Sequence, residues 1–180
     1  RKFFDLLGPS DVRKTHLNML DKNNKNYSKI RNLYLYRFSN NIETNQAINK
    51  NKKYINIKNG FFLNKNADLK IKNLFNYFLI ELKKREKLNS SKFDFSDCSL
   101  INILYISAFL KFKSYNIAIK YIADIFSIKN KVLTVSDDNY YISAKTNTNK
   151  YYLSESEIVN RKTYGDISQI FFNKKPLNVK

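Results

Sequence analysis

Apolar positions recur every three or four residues through the first two thirds of the chain, then alternate with polar ones in the last third. The first period is that of a helix and the second that of a strand. Residues 11–22 read as a first helix, with Gly8-Pro9 as a turn signal and Ser10 or Asp11 as its N-cap. Residues 27–38 read as a second, with Ile30, Leu33 and Tyr34 on one face. Residues 67–88 form the clearest helix. Leu74, Phe75, Phe78 and Leu82 make its apolar stripe. Asp68 lies in its first turn, and Lys83, Lys84, Arg85 and Lys87 crowd its last, which suits the helix dipole. Residues 99–112 and 115–128 are apolar over much of their surface and predict a buried pair joined at Lys113-Ser114.

Residues 39–66 are rich in Asn and Lys and predict a loop with one short strand or turn at 54–62. After the helices the period changes. Residues 131–136 (KVLTVS), 139–145 and 150–155 read as strands, the last two split by a hairpin turn at 146–149, and 167–172 as a final strand. Five helices followed by about four strands predict an α/β fold of which this chain is the middle part, a helical block and then a short β-meander. One partial domain is expected over 1–180, mostly helical to residue 130 and mostly strand beyond it. No internal repeat is visible.

Composition changes the picture in three ways. The chain has 180 residues, 43% hydrophobic, and begins at Arg1 rather than Met. With 3 Gly and 2 Pro against abundant Asn, Lys, Ile, Tyr and Phe, it reads as the product of an AT-rich coding genome. The net charge of +18 would ordinarily point to nucleic acid. Here the lysines are scattered from end to end without a nucleic-acid-binding signature, so a nucleic-acid partner is not expected. The positive field still favours a phosphorylated small molecule. Cys98 is the only cysteine and His16 the only histidine, which excludes an internal disulfide and Cys-rich or His-pair metal sites. A single thiol fits a reducing compartment, and a cytoplasmic location is expected. The longest uncharged apolar run, Leu100–Phe109, is too short to span a membrane.

The candidate chemistry starts at Leu7-Gly8-Pro9-Ser10-Asp11-Val12-Arg13. A carboxylate and a guanidinium stand two residues apart where a loop enters a helix. Free N–H groups at a helix start attract phosphate, and an arginine can clamp it with two hydrogen bonds. The plainer reading is a capped surface helix. Asp137-Asp138 is most simply a turn. Glu155 and Glu157 alternate along the expected strand, so they would face opposite ways.

Four further blocks, in the same order, make the chain resemble the 2-phospho-L-lactate transferase (CofD-like) family, including its gluconeogenesis-factor branch. Residues 7–13 are similar to that family's GGPxGDIR loop, and Arg37-Phe38 to the end of its next helix. Residues 93–102 (FDFSDCSLIN) resemble FDF…GSxGN. Ala118-Ile119 with residues 132–135 (VLTV) resemble AI…VLPV, and residues 144–158 resemble the block that ends in GE-x-x-I. The resemblance implies a Rossmann-like three-layer fold. It also implies that a Gly-rich strand–turn–helix and a Ser-Asp-Asp-Gly-Gly loop precede Arg1 and that a phosphate loop follows Lys180. Several family glycines are replaced, by Ser10, Cys98, Ile101 and Ser154, and the family proline by Thr134. A β-branched Ile where a left-handed backbone is needed should block that conformation or crowd the site.

By the same resemblance, a phospholactyl-type group passes from a guanosine-nucleotide-activated donor to an alcohol, a deazaflavin precursor in the family, with Mg²⁺ as cofactor. Asp11 is the implied catalytic residue, aligning or partly deprotonating the hydroxyl or holding Mg²⁺ through water. Gly8, Ser10, Arg13, Ser99 and Asn102 are the implied substrate- and nucleotide-binding residues, and none is assigned as a direct metal ligand. Plainer roles stand beside these: an outward Arg13, a helix-capping Ser99 and an Asn102 that satisfies backbone groups. The expected partner is a nucleotide-linked small molecule, with a second copy of the chain as an option. The alternative is a non-catalytic nucleotide or nucleotide-sugar binding regulator, or a degenerate homologue, which the lost glycines favour.

Overall fold

The computed structural model describes residues 2–4, 6, 8–38, 63–96, 98–134, 140–160 and 165–175. They fall into two compact units, residues 1–137 and 138–180. Among the described residues the first unit is helical and the second carries a small antiparallel sheet.

Helix α1 spans Ser10–Asn18 and α2 spans Tyr27–Leu35. Both are shorter than their apolar periods suggest. The N-cap of α1 is Pro9, with no side-chain cap bond, so neither Ser10 nor Asp11 caps it. Proline suits that entry because its fixed φ resembles that of a helix. Helix α3 covers Lys65–Asn89. The Asn64 side chain accepts from the Ala67 N–H at 2.9 Å, and Asp68 Oδ1 accepts from the Leu63 N–H at 3.0 Å. That pair of bonds fixes the start of α3, two residues before the first apolar repeat. Helices α4 (Leu100–Phe112) and α5 (Tyr115–Ile125) follow. Two of these helices end on left-handed residues that are not glycine, α3 at Ser90 and α4 at Lys113. Each such ending costs about 1 kcal/mol.

The stripe of α3 packs on α4, and α4 on α5. Leu74, Phe75, Phe78 and Leu82 are all buried against Leu104, Ala108 and Ile122 in one continuous core. Fully burying one such side chain is worth roughly 2 kcal/mol. At one end the core is aromatic. Phe78 has its ring centroid 5.5 Å from Phe4, 6.0 Å from Phe93 and 6.3 Å from Phe95.

In the second unit, strand β1 (Tyr141–Thr146) lies between β2 (Tyr151–Tyr152) and β3 (Ile167–Asn173). Both pairings are antiparallel, with Ala144 opposite Tyr152 on one side and Ile170 on the other. The turn after β1 uses Asn149 at φ 62°, a conformation that asparagine tolerates well. Helix α6 (Glu155–Val159) follows β2.

Two strand expectations are corrected. Residues 131–134 form no strand. Instead the Asn116 side chain takes the Thr134 N–H at 2.8 Å and donates to its carbonyl at 3.3 Å. The run 150–155 keeps two strand residues and then turns into α6. Ser154 Oγ accepts from the Glu157 N–H, and Glu157 Oε2 accepts from the Leu153 N–H. Glu155 and Glu157 therefore share one helical turn and do not alternate along a strand. The expected turn or strand at 54–62 and the pair Asp137-Asp138 lie outside the described residues. No helix among those described is long and apolar enough to cross a membrane.

Candidate functional site

Arg13 and His16 stand three residues apart on α1, hence on one face. Both are turned inward, at 7% and 0% exposure. Arg13 Nη1 donates to the Tyr34 carbonyl of α2 at 3.1 Å. The Tyr34 hydroxyl lies 3.4 Å from that of Tyr105 on α4, and the Tyr105 hydroxyl lies 2.5 Å from His16 Nδ1. Three helices are thus joined through four polar side chains inside the core.

The start of α4 is held to the end of α2 by a short antiparallel contact. Phe38 N–H donates to the Cys98 carbonyl at 2.9 Å, Leu100 N–H to the Tyr36 carbonyl at 3.4 Å, and Arg37 bridges Ser99. This brings the 98–102 segment beside residues 34–38, which Arg13 also contacts. Asn102 is three residues before Tyr105, so it shares the inward face of α4.

Four polar atoms in this corner are buried without a partner: Arg13 Nε, His16 Nε2, Ser99 Oγ and Asn102 Oδ1. Leaving one such group unpaired costs about 1–3 kcal/mol. Ser99 occupies the N-cap position of α4 but makes no cap bond, and the Asn102 carbonyl satisfies no backbone group. The capping and backbone-satisfying roles expected of these two are therefore not filled.

The electrostatics point one way. Burial, then the like charge of Arg37, pulls the Arg13 pKa below its ordinary value, while Tyr105 acts in the opposite sense. No carboxylate pairs with Arg13 among the described residues. A guanidinium stays charged even so. Burial lowers His16 to about 4, which leaves it neutral at physiological pH. Among the described residues the corner holds a buried cation with no counter-ion; Arg13 Nε and Ser99 Oγ are unpaired donors that an anion would complete, while Asn102 Oδ1 is an unpaired acceptor that needs a donor group.

The structure sets Arg13 against residue 34 and Ser99 against residue 37 of the same stretch at the end of α2, with Asn102 one turn before Tyr105, and leaves Gly8, Ser10 and Asp11 at the surface. The Asp11 side chain is 93% exposed, with Lys14 Nζ at 4.0 Å. An outward Arg13 is excluded. The replaced glycines leave no strained backbone, since positive φ among the described residues falls on Ser90, Lys113, Ser127, Asn149 and Gly165. Ile101 is helical and fully buried, so it packs in the core and does not have to adopt a left-handed conformation. Cys98 is half-buried beside the core.

Arg13, His16, Ser99 and Asn102 supply no carboxylate for a Mg²⁺ ion. No group of three or more His, Cys, Asp or Glu gathers among the described residues, and Asp11 is the one carboxylate of α1. Mg²⁺ needs one or two carboxylates together with substrate phosphates and water.

Sequence reasoning missed His16, Tyr34 and Tyr105 as members of this corner. The i, i+3 spacing of Arg13 and His16 was the available signal. The tyrosines look like ordinary core residues within apolar stripes. Comparison with family models, with curated proteins and with solved structures gives no match for this chain.

Proposed function

We propose that the corner between α1 and α4 binds the phosphate of a nucleotide-linked small molecule, in a protein of the 2-phospho-L-lactate transferase type with a Rossmann-like α/β fold. One observation carries this reading. Two of the segments that resemble that family, 7–13 and 93–102, both pack against the end of α2 and carry buried polar atoms without a partner, on Arg13, Ser99 and Asn102. Phosphoryl chemistry needs charge neutralisation, oriented donors and an aligned hydroxyl. Arg13 supplies the first, Ser99 and the α4 N-terminus the second. Asp11, at the mouth of the same loop–helix junction, would align the acceptor hydroxyl. Mg²⁺ enters this reading only as a companion of the substrate phosphates.

A second reading, binding without turnover, is favoured by the exposure of Asp11, which keeps its carboxylate apart from the buried donors. Full-length protein, Mg²⁺ and a guanylylated phospholactate donor separate the two. Release of GMP, abolished by Asp11→Asn with the fold intact, supports transfer. A melting temperature raised by GDP or a UDP-sugar, with no GMP released, supports binding alone. Arg13→Gln is expected to weaken either ligand roughly 10- to 100-fold, the worth of a charge-assisted contact. Ser99→Ala, a smaller change at a position with no structural bond, should weaken it several-fold. No binding of any of these ligands overturns both readings.

A further inference from the structure

Helix α3 presents a second surface, independent of the α1–α4 corner. Its 25 residues make a rod about 37 Å long. Lys65, Leu69, Lys72, Asn76, Ile80, Lys83 and Lys87 recur every three or four residues, so they form one stripe, and every one of them is exposed. No carboxylate lies on that stripe. The three acidic residues of α3 sit off it and are engaged. Asp68 holds the Leu63 N–H, Glu81 pairs with Lys84 at 2.7 Å, and Glu86 accepts from Phe93 and pairs with Lys92 at 3.6 Å. Lys65, Lys72, Lys83 and Lys87 have no acidic partner among the described residues.

Aliphatic side chains stand among these cations. Leu69 and Ile80 are 54% and 53% exposed. The chain as a whole carries +18 and no carboxylate among the described residues pairs with these lysines, so an anionic surface outside the chain complements this face. We propose that the outward face of α3 docks on an anionic lipid surface. Lysines at such a surface meet phosphate headgroups, and the leucine and isoleucine between them enter the acyl boundary. A nucleic-acid backbone would satisfy the lysines but give Leu69 and Ile80 nothing to bury in. The face is amphipathic in the sense a membrane rewards.

The test is flotation of the whole chain with vesicles of phosphatidylcholine alone and with phosphatidylserine added. Binding is expected only with phosphatidylserine, and it should fall as salt rises. Lys72→Gln combined with Lys83→Gln should lower partitioning about 25-fold, at about fivefold per lysine. Leu69→Ser combined with Ile80→Ser should lower it about tenfold and leave binding to a homopolymeric RNA unchanged. All four positions are exposed, and unchanged melting curves will show that the fold is kept. Equal binding to both vesicle types, no binding to either, or indifference to the lysine pair overturns the proposal. Binding to RNA that the lysine pair removes, together with vesicle binding indifferent to Leu69 and Ile80, would reassign the face to nucleic acid and overturn it too.

Discussion

Replacing Phe78 by alanine is expected to remove about 4 kcal/mol of stability. Phe78 is fully buried on α3, with four other phenylalanine rings, Phe4, Phe75, Phe93 and Phe95, around it. Those rings come from three stretches of chain, residue 4, α3 itself and residues 93–95, each fixed by its own backbone, so the space left behind is not readily filled. The cost is both lost transfer energy and an unfilled cavity. A small domain has about 5–15 kcal/mol in all, so one side chain would take a large share of it. Urea unfolding followed by circular dichroism measures the change. Phe78→Leu, which keeps most of the volume, should lose less than half as much. An alanine variant within about 1 kcal/mol of the parent would mean that the aromatic end of the core does not hold α3 in place.

The second large effect is acid sensitivity through His16. An imidazole titrates near 6.5 in an unfolded chain and at about 4 in this fold, because burial penalises the charged ring. Between those values the unfolded chain holds more protons than the folded one. Stability therefore rises with pH across the window. The contribution is complete above about 6.5 and is lost as pH falls towards about 4, a swing of about 3 kcal/mol. Around the ring stand Tyr105, which bonds it, Tyr34 beyond that, and Arg13 one turn earlier on α1. A second positive charge would enter a corner where Arg13 already stands with no carboxylate partner among the described residues. Urea midpoints at about pH 7.5 and about pH 5 should diverge in the parent and come much closer in His16→Asn. Equal pH dependence in both proteins would remove His16 as the cause.

Helices α3, α4 and α5 were legible because their apolar residues repeat at helical spacing over long runs, which tertiary context rarely overrides. The hairpin at 146–149 and the last strand were legible for the equivalent reason. The expected strand at 131–136 misled over its described part, 131–134, because β-branched residues favour strands only where a neighbouring strand accepts their backbone. Here Thr134 finds the Asn116 amide, a partner no local window contains. At Ser154 the signal was present and outweighed. Ser-x-x-Glu opens helices, but the alternation before it favours a strand. For the candidate site, Gly8, Ser10 and Asp11 carried both a binding or catalytic reading and a plainer surface one, and Arg13 was left undecided. Charged residues are rarely buried, so no sequence rule assigns an arginine to the inside of a helix packing. Its place depends on the Tyr34 carbonyl and on Tyr105, which arrive from 21 residues away and from a different helix.

The linked phenols of that corner have a spectroscopic consequence. Burial raises Tyr34 well above an ordinary phenol, with Tyr105 adding to it, and burial raises Tyr105 as well. The chain has 13 Tyr and no Trp, so near-ultraviolet absorbance belongs almost wholly to tyrosine. In an alkaline titration Tyr34 and Tyr105 should keep their protons until the helices separate, and their phenolate bands then arrive together, as a late step that dates the opening of the corner.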